Sequence, residues 1–344
     1  MKEKKNIILC DCEAEEVKDL KDGLELFNNN LYTYQIESHI SNWKRKGKIS
    51  EVKRYLKYFR IGFKYFVHRK KYNIIIGWQQ FYVLILVYFC SIFHVKKRNK
   101  LVAMNFTYKK KNKFGKIYHS FMAKCLNPKY IDYIHVLSKN YAVEISQEFN
   151  FPLNRIIVTY FGIPDHYEFY SKLARPIEYE DTKYALSIGR SNRDFDFLIN
   201  SWNNINYHLV IISDKYEGKT NNSNIEILRN VCGSESYPWI ANCECMIIPI
   251  DNGTICSGDT VLLTAMSLKK KVIITTPSTL SEMYVENKKT AYCINKNKEE
   301  LEKVMNNIIT STNNIIGENA RNCFLDNYSR KQLGINIGKI INCK

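Results

Sequence analysis

The feature that most constrains the fold is an alternation. Short runs rich in Ile, Val and Leu recur along the chain, each followed by a segment long enough for a helix. In the first half they are Asn6–Cys10, Asn73–Ile76, Leu101–Asn105, Ile134–Val136 and Ile156–Thr159. In the second they are Tyr184–Ile188, His208–Ile212, Ile225–Leu228, Cys245–Pro249, Val272–Thr275 and Ala291–Cys293. Strands separated by helices pair most simply in parallel, so the pattern predicts an α/β protein whose parallel sheets are covered by helices on both faces. At 344 residues the chain suits two such sheets in tandem better than one. The predicted join is Tyr160-Phe161-Gly162-Ile163-Pro164, where a Gly and a Pro follow a strand, and Ala320 to Ile341 reads as helical.

Charge is concentrated in the first half. The net charge is +17, yet Glu51 to Tyr130 alone holds 19 Lys and Arg against a single acid, Glu51, so the rest of the chain is close to neutral. An AT-rich genome accounts for a general richness in Lys, Asn and Ile, but not for this clustering. Within it, Glu51 to Lys71 reads as an amphipathic helix: Val52, Leu56, Phe59, Phe63 and Phe66 form an apolar stripe, and Lys53, Lys57, Arg60 and Lys64 a cationic one. Such a helix suits an anionic membrane or a phosphate-rich acceptor, each basic side chain near that surface contributing about 1 kcal/mol. The plainer alternative is a surface helix whose apolar stripe packs on its own domain. No helix-turn-helix, zinc-finger or RNA-recognition signature accompanies the patch, so nucleic acid is not the expected partner.

The longest uncharged apolar run, Phe81 to Phe93, has 13 residues; a spanning helix needs roughly 20, so a buried helix is expected instead. Eleven cysteines, with no CxxC pair and an odd total, fit reduced thiols better than a disulfide framework or a zinc site. Cys243-x-Cys245 reads as packing, and the seven histidines show no ligand spacing, so no metal is expected. The apolar run after Lys5 is too short for a signal peptide, and the expected setting is a reducing cytoplasm.

Chemistry concentrates in the second half. After Ala185-Leu186-Ser187-Ile188 a strand ends at Gly189, a loop carries Arg190 and Arg193, and Asp194 can cap the helix that follows. Guanidinium groups at the carboxyl end of a strand suit a diphosphate, whose oxygens they hold in bidentate fashion. The alternative is an ordinary ion pair of one arginine with Asp194 or Asp196. Further on, Cys256-Ser257-Gly258-Asp259-Thr260 opens an apolar helix that includes Thr264, Ala265 and Met266. Its free N–H groups and positive dipole end make an anion site, and Gly258 permits close backbone approach. Read plainly, Ser257 or Asp259 is the N-cap. No P-loop or Gly-rich dinucleotide fingerprint occurs.

The order Gly189-Arg190…Arg193-Asp194-x-Asp196-x-Leu198-Ile199, the strand ending at Pro249, and Gly258…Leu263-x-Ala265-Met266-Ser267…Lys271-Val272-Ile273-Ile274 resemble the donor-binding half of retaining glycosyltransferases of family 4. Ile75-Ile76-Gly77-Trp78-Gln79-Gln80, Phe106-Thr107-Tyr108-Lys109 and Gly162-Ile163-Pro164 are similar to capsule and cell-wall polysaccharide transferases of low-GC bacteria. The resemblance implies the GT-B fold, two Rossmann-like domains facing a cleft: residues 1–164 as an acceptor-binding domain with the basic helix, 165–325 as the nucleotide-sugar domain, and 326–344 as a helix crossing back to the first.

It also implies a hexosyltransferase acting with retention and without metal, peripheral on the inner face of the cell membrane. The donor would be a nucleotide diphosphate sugar, a UDP-sugar first, and the acceptor lipid-linked or glycan. Arg190 and Arg193 would carry catalysis, with Gly189, Ser257, Gly258, Asp259, Thr260 and Thr264 also on the donor, and Lys53, Lys57, Arg60 and Lys64 facing acceptor or membrane. The family's usual pair of glutamates is absent: Thr264 stands in the place of the second, and Asn105 and Phe106 stand where a His often ends a strand of the first domain. A non-catalytic scaffold subunit of a polysaccharide assembly and a nucleotide-sugar epimerase are the alternatives.

Overall fold

The structure, a computed structural model, describes residues 5–27, 33–40, 48–109, 115–231, 233–255 and 257–342. The chain forms two compact units, Met1–Pro164 with Arg330–Lys344, and Asp165–Ser329.

In the first unit, strands β1 (Lys5–Cys10), β2 (Tyr34–Ser38), β3 (Tyr72–Gly77), β4 (Lys100–Ala103), β5 (Tyr133–Val136) and β6 (Ile156–Val158) form one sheet in the order β2-β1-β3-β4-β5-β6. Every pairing is parallel. Helices α1 (Lys18–Phe27), α2 (Lys48–His68), α3 (Gln80–Ile92), α4 (Gly115–Cys125) and α5 (Lys139–Phe149) supply the crossovers. The apolar run at Phe81 is α3, and it is buried over most of its length because it is oily on all sides; Tyr82, Val83, Leu84, Ile85, Leu86 and Val87 all leave water. Each such side chain contributes roughly 1.5–3 kcal/mol. α2 crosses α3 at Gly62, where an added Cβ would lie 2.6 Å from Ile85, so α2 buries the face carrying Tyr58, Ile61 and Tyr65.

Two elements differ from the sequence expectation. β2 lies outside the sequence pattern, because Tyr34-Gln35-Ile36-Glu37-Ser38 carries only two large apolar side chains; as an edge strand it needs no more. β4 ends at Ala103, since Asn105 turns into the left-handed region at φ 52°. The C-terminal helix Arg330–Asn342 packs Leu333, Ile337 and Ile341 with Ile8, Leu20 and Leu24 of this unit. Arg330 anchors its start, lying over the Trp78 ring at 4.7 Å and donating to the carbonyls of Gly162 (3.1 Å) and Glu16.

In the second unit, β7 (Tyr184–Ile188), β8 (His208–Ile212), β9 (Ile225–Leu228), β10 (Cys245–Ile248), β11 (Lys271–Thr275) and β12 (Tyr292–Ile294) form a second parallel sheet in the order β12-β11-β10-β7-β8-β9. Its helices are α6 (Tyr167–Tyr170), α7 (Phe195–Ser201), α8 (Tyr237–Asn242), α9 (Asp259–Ser267), α10 (Thr279–Met283), α11 (Lys298–Thr310) and α12 (Ile315–Cys323). The core joins Leu198 and Trp202 to Leu209, Ile211, Ile247 and Leu301, and Cys243 and Cys245 are buried. The helical stretch expected over Ala320 to Ile341 is interrupted: a π turn at Phe324–Tyr328 follows α12, and Ser329 is extended. No helix among the described residues is long and apolar enough to cross a membrane.

Candidate anion-binding site

The second sheet has a topological switch. From β7 the chain moves outward through β8 to β9, then returns to place β10 on the other side of β7. Loops leaving two such neighbouring strands diverge, and the crevice lies at their carboxyl ends. Here it is a cavity of about 280 Å³ bordered by Gly189, Arg190, Arg193, Asp214, Gly258 and Thr260. Asn192, which the sequence reading did not single out, ties the two loops together. Its side chain donates to the Asn252 carbonyl (3.0 Å) and accepts from the Asn252 N–H (2.7 Å), while the Asp194 N–H donates to the Pro249 carbonyl at 2.8 Å. Asn192 adopts φ 54°, a conformation that asparagine tolerates better than most residues.

Arg193 lies between two glycines. A Cβ on Gly189 would come within 2.7 Å of its Nε, and one on Gly258 within 2.3 Å of its Nη2. Nε donates to the Ile188 carbonyl (3.4 Å), and Nη1 to those of Ser191 (3.3 Å) and Asn192 (3.2 Å). Burial lowers its pKa to about 10, against the opposing pull of Asp259, so it remains a cation at neutral pH.

The guanidinium meets the start of α9. The N-cap is Gly258, at φ 99° and with no side-chain cap, so neither Ser257 nor Asp259 caps the helix as the plain reading expected. The first N–H groups of a helix have no intrahelical partner, and they carry its positive dipole end. A cation has thus been placed against the positive end of a helix, an arrangement that Asp259 only partly relieves and that an anion in the cavity would satisfy.

Arg190 is arranged differently. Its fork grips Asp214 at the end of β8, Nε to Oδ1 and Nη2 to Oδ2, both at 2.9 Å. The arginine beside it holds the Asp214 carboxyl below its ordinary pKa. The partner is therefore neither Asp194 nor Asp196. Asp194 caps α7 by accepting from the Phe197 N–H (3.0 Å) and pairs with Lys296 at 2.6 Å. Asp196 accepts from the Tyr216 hydroxyl.

The structure brings Gly189, Arg190, Arg193, Ser257, Gly258, Asp259 and Thr260 around one cavity. It does not bring Thr264 there. That hydroxyl is buried a turn further along α9 and donates to the Thr260 carbonyl at 2.7 Å. Cys256 lies outside the described residues. Lys53, Lys57, Arg60 and Lys64 stand on α2 in the first unit. Lys57 donates to the carbonyls of His39 and Ile40, and Lys64 pairs with Glu37 at 3.4 Å, so the cationic stripe is partly engaged with the end of β2. Phe106 is in the core of that unit. The Asn105 N–H donates to His135 Nδ1 at 3.2 Å.

The first unit has its own switch, between β1 and β3. Asp11 there accepts from Gln79 (3.1 Å) and Tyr58 (3.3 Å), and Gln79 also donates to the Tyr58 hydroxyl at 3.1 Å. This cluster escaped the sequence reading because its members lie far apart in the chain and form no motif.

No protein-family model matches the chain, and no curated protein matches it in sequence. Solved structures do match it along its length. A glycosyltransferase from Rickettsia africae has 15% identity and a TM-score of 0.59, with 98% of each chain covered. Anabaena Alr3699/HepE in complex with UDP and glucose has 14% identity and a TM-score of 0.59, covering 99% of this chain and 100% of its own. WaaG, a glycosyltransferase involved in lipopolysaccharide biosynthesis, has 13% identity and a TM-score of 0.54, covering 98% and 100%. Likeness at this identity defines the class of fold, which is GT-B: two Rossmann-like α/β units, as the sequence predicted.

Proposed function

We propose that the chain is a glycosyltransferase that takes its sugar from a nucleotide diphosphate donor bound at the switch of the second sheet. The observation that carries this reading is the Arg193 guanidinium held against the uncapped start of α9, two positive features around one cavity. As a sugar leaves a nucleotide diphosphate, negative charge grows on the departing phosphate oxygens. Donors already aimed there stabilise that charge without reorganising, which lowers the barrier. Arg193 and the N–H groups opening α9 take this role; Gly189 and Gly258 leave room for the guanidinium, and Ser257 and Thr260 offer hydroxyls. Arg190 reaches the donor only by sharing its fork with Asp214.

UDP is the first nucleotide to test, since UDP occupies one of the matching structures. Retention at the anomeric carbon, metal independence and a lipid-linked or glycan acceptor complete the proposal. A nucleotide-binding scaffold is the second reading, favoured by Thr264, whose hydroxyl is already committed to its own helix.

Calorimetric titration with UDP, GDP and TDP, followed by incubation with the UDP-sugars, tests both. The expected result is that one nucleotide binds, that Arg193→Ala weakens its binding roughly a hundredfold, and that sugar is released or transferred from the matching donor. Binding without turnover on any donor supports the scaffold. Failure of all three nucleotides, or unchanged binding by Arg193→Ala, overturns the proposal.

A further inference from the structure

The apolar stripe of α2 divides: Phe66 is buried and Phe59 and Phe63 pack one edge on Tyr88 and Phe89 of α3, while the rest of the stripe faces outward. Tyr58, Ile61 and Tyr65 are buried, whereas Ile49, Leu56 and Val52 are 75%, 64% and 58% exposed and Phe63 and Val67 are about half exposed. With 3.6 residues per turn, these exposed apolar residues share an arc of roughly 60°. Lys53, Lys57, Arg60 and Lys64 fill roughly the next 60°, and the buried residues occupy the opposite side. The apolar surface continues beyond the helix. Phe59 packs on Phe121 of α4 at 5.7 Å, one turn from the exposed Ile117, and Phe93, exposed at the end of α3, covers the buried Phe66 at 5.6 Å. Contiguous apolar surface of this kind on a folded unit marks an interaction site.

We propose that this face docks on an anionic phospholipid bilayer. α2 would lie in the plane of the interface, with Ile49, Val52, Leu56 and Phe63 among the acyl chains and Lys53 and Arg60 at the lipid phosphates. Charge selects this occupant over a second copy of the chain. Lys53, Lys57, Arg60 and Lys64 border the apolar arc, and of these Lys64 pairs with Glu37, so two copies of the face would bring like charges together, whereas an anionic leaflet supplies opposite charge along its whole area. The inference does not depend on the donor site in the other unit.

Co-flotation of the full chain with vesicles of phosphatidylcholine, alone or mixed with phosphatidylglycerol, tests it, with sedimentation velocity to read the oligomeric state. The full chain is expected to float with the mixed vesicles and to be retained less at high salt. The pair Leu56→Glu with Phe63→Glu should lower the bound fraction about tenfold or more, and so should Lys53→Glu with Arg60→Glu. All four positions are exposed, so an unchanged melting temperature and far-ultraviolet circular dichroism spectrum confirm that the variants fold. Variants that float like the unaltered chain overturn the proposal. So does a dimer that Leu56→Glu with Phe63→Glu dissolves while no vesicle is bound, which would make a second copy the occupant.

Discussion

The two sheets switch direction in the same way, and the helix that leaves each switch begins differently. In the first unit that helix is α3, whose first turn is closed by its own side chain: Gln79 accepts from the Phe81 N–H at 3.3 Å, beside the carboxylate of Asp11. In the second unit it is α9, capped by a glycine with no side chain to offer and faced by the Arg193 guanidinium. A shared topology creates a crevice in both places and leaves its polarity to a few loop residues. One helix start is closed by a neighbouring side chain; the other has a guanidinium set against it, offset only in part by Asp259.

The strongest way to break this contrast is to remove the cation. Arg193→Ala should weaken nucleotide diphosphate binding by about 3 kcal/mol, roughly a hundredfold, with Arg193→Lys recovering only part because an ammonium lacks the fork. Calorimetric dissociation constants check both. The first unit offers a separate handle in His135, fully buried and hydrogen-bonded to the Thr159 hydroxyl at 2.8 Å. Burial lowers its pKa from 6.5 to about 4, so between those values the unfolded chain binds a proton that the folded unit refuses. Stability is then full above pH 6.5 and falls by roughly 3 kcal/mol as the pH drops to 4. Melting temperatures across that range should show the slope, and His135→Asn should flatten it while leaving nucleotide affinity unchanged.

Smaller changes sharpen the contrast. Gly258→Ala forces an alanine to φ 99° and drives a methyl group into the guanidinium. It should cost about 2 kcal/mol of stability in thermal or chemical denaturation and weaken nucleotide binding at the same time. Arg190→Ala should have the least effect, lowering nucleotide affinity by less than about tenfold, because an exposed arginine already paired with Asp214 has little to lose. A loss equal to that of Arg193→Ala would show that Arg190 releases Asp214 to grip the ligand.

Much of this was legible in the sequence, for physical reasons. Strands of a doubly covered parallel sheet are continuous apolar runs, so Tyr184–Ile188 and His208–Ile212 were recognisable to the residue. Edge strand β2 carries no such run, so nothing in the sequence marks it. The arginine loop and the helix opening at Gly258 were readable because glycine and arginine mark anion sites locally. What each group touches depends on residues distant in the chain. Asp214 and not Asp194 holds Arg190, Asn192 joins two loops, and Thr264 turns its hydroxyl back on its own helix. The helix at Glu51 shows the same limit: its periodicity revealed an oily stripe, but only the packing of α3 at Gly62 decided that Val52 and Leu56 face outward while Phe66 of the same stripe is buried.

A crystal structure of the chain with UDP bound tests the central claim most directly. The diphosphate should lie within hydrogen-bonding distance of the Arg193 guanidinium and of the backbone N–H groups of Asp259 and Thr260. A diphosphate held elsewhere, with Arg193 still bonded only to the carbonyls of Ile188, Ser191 and Asn192, would contradict it.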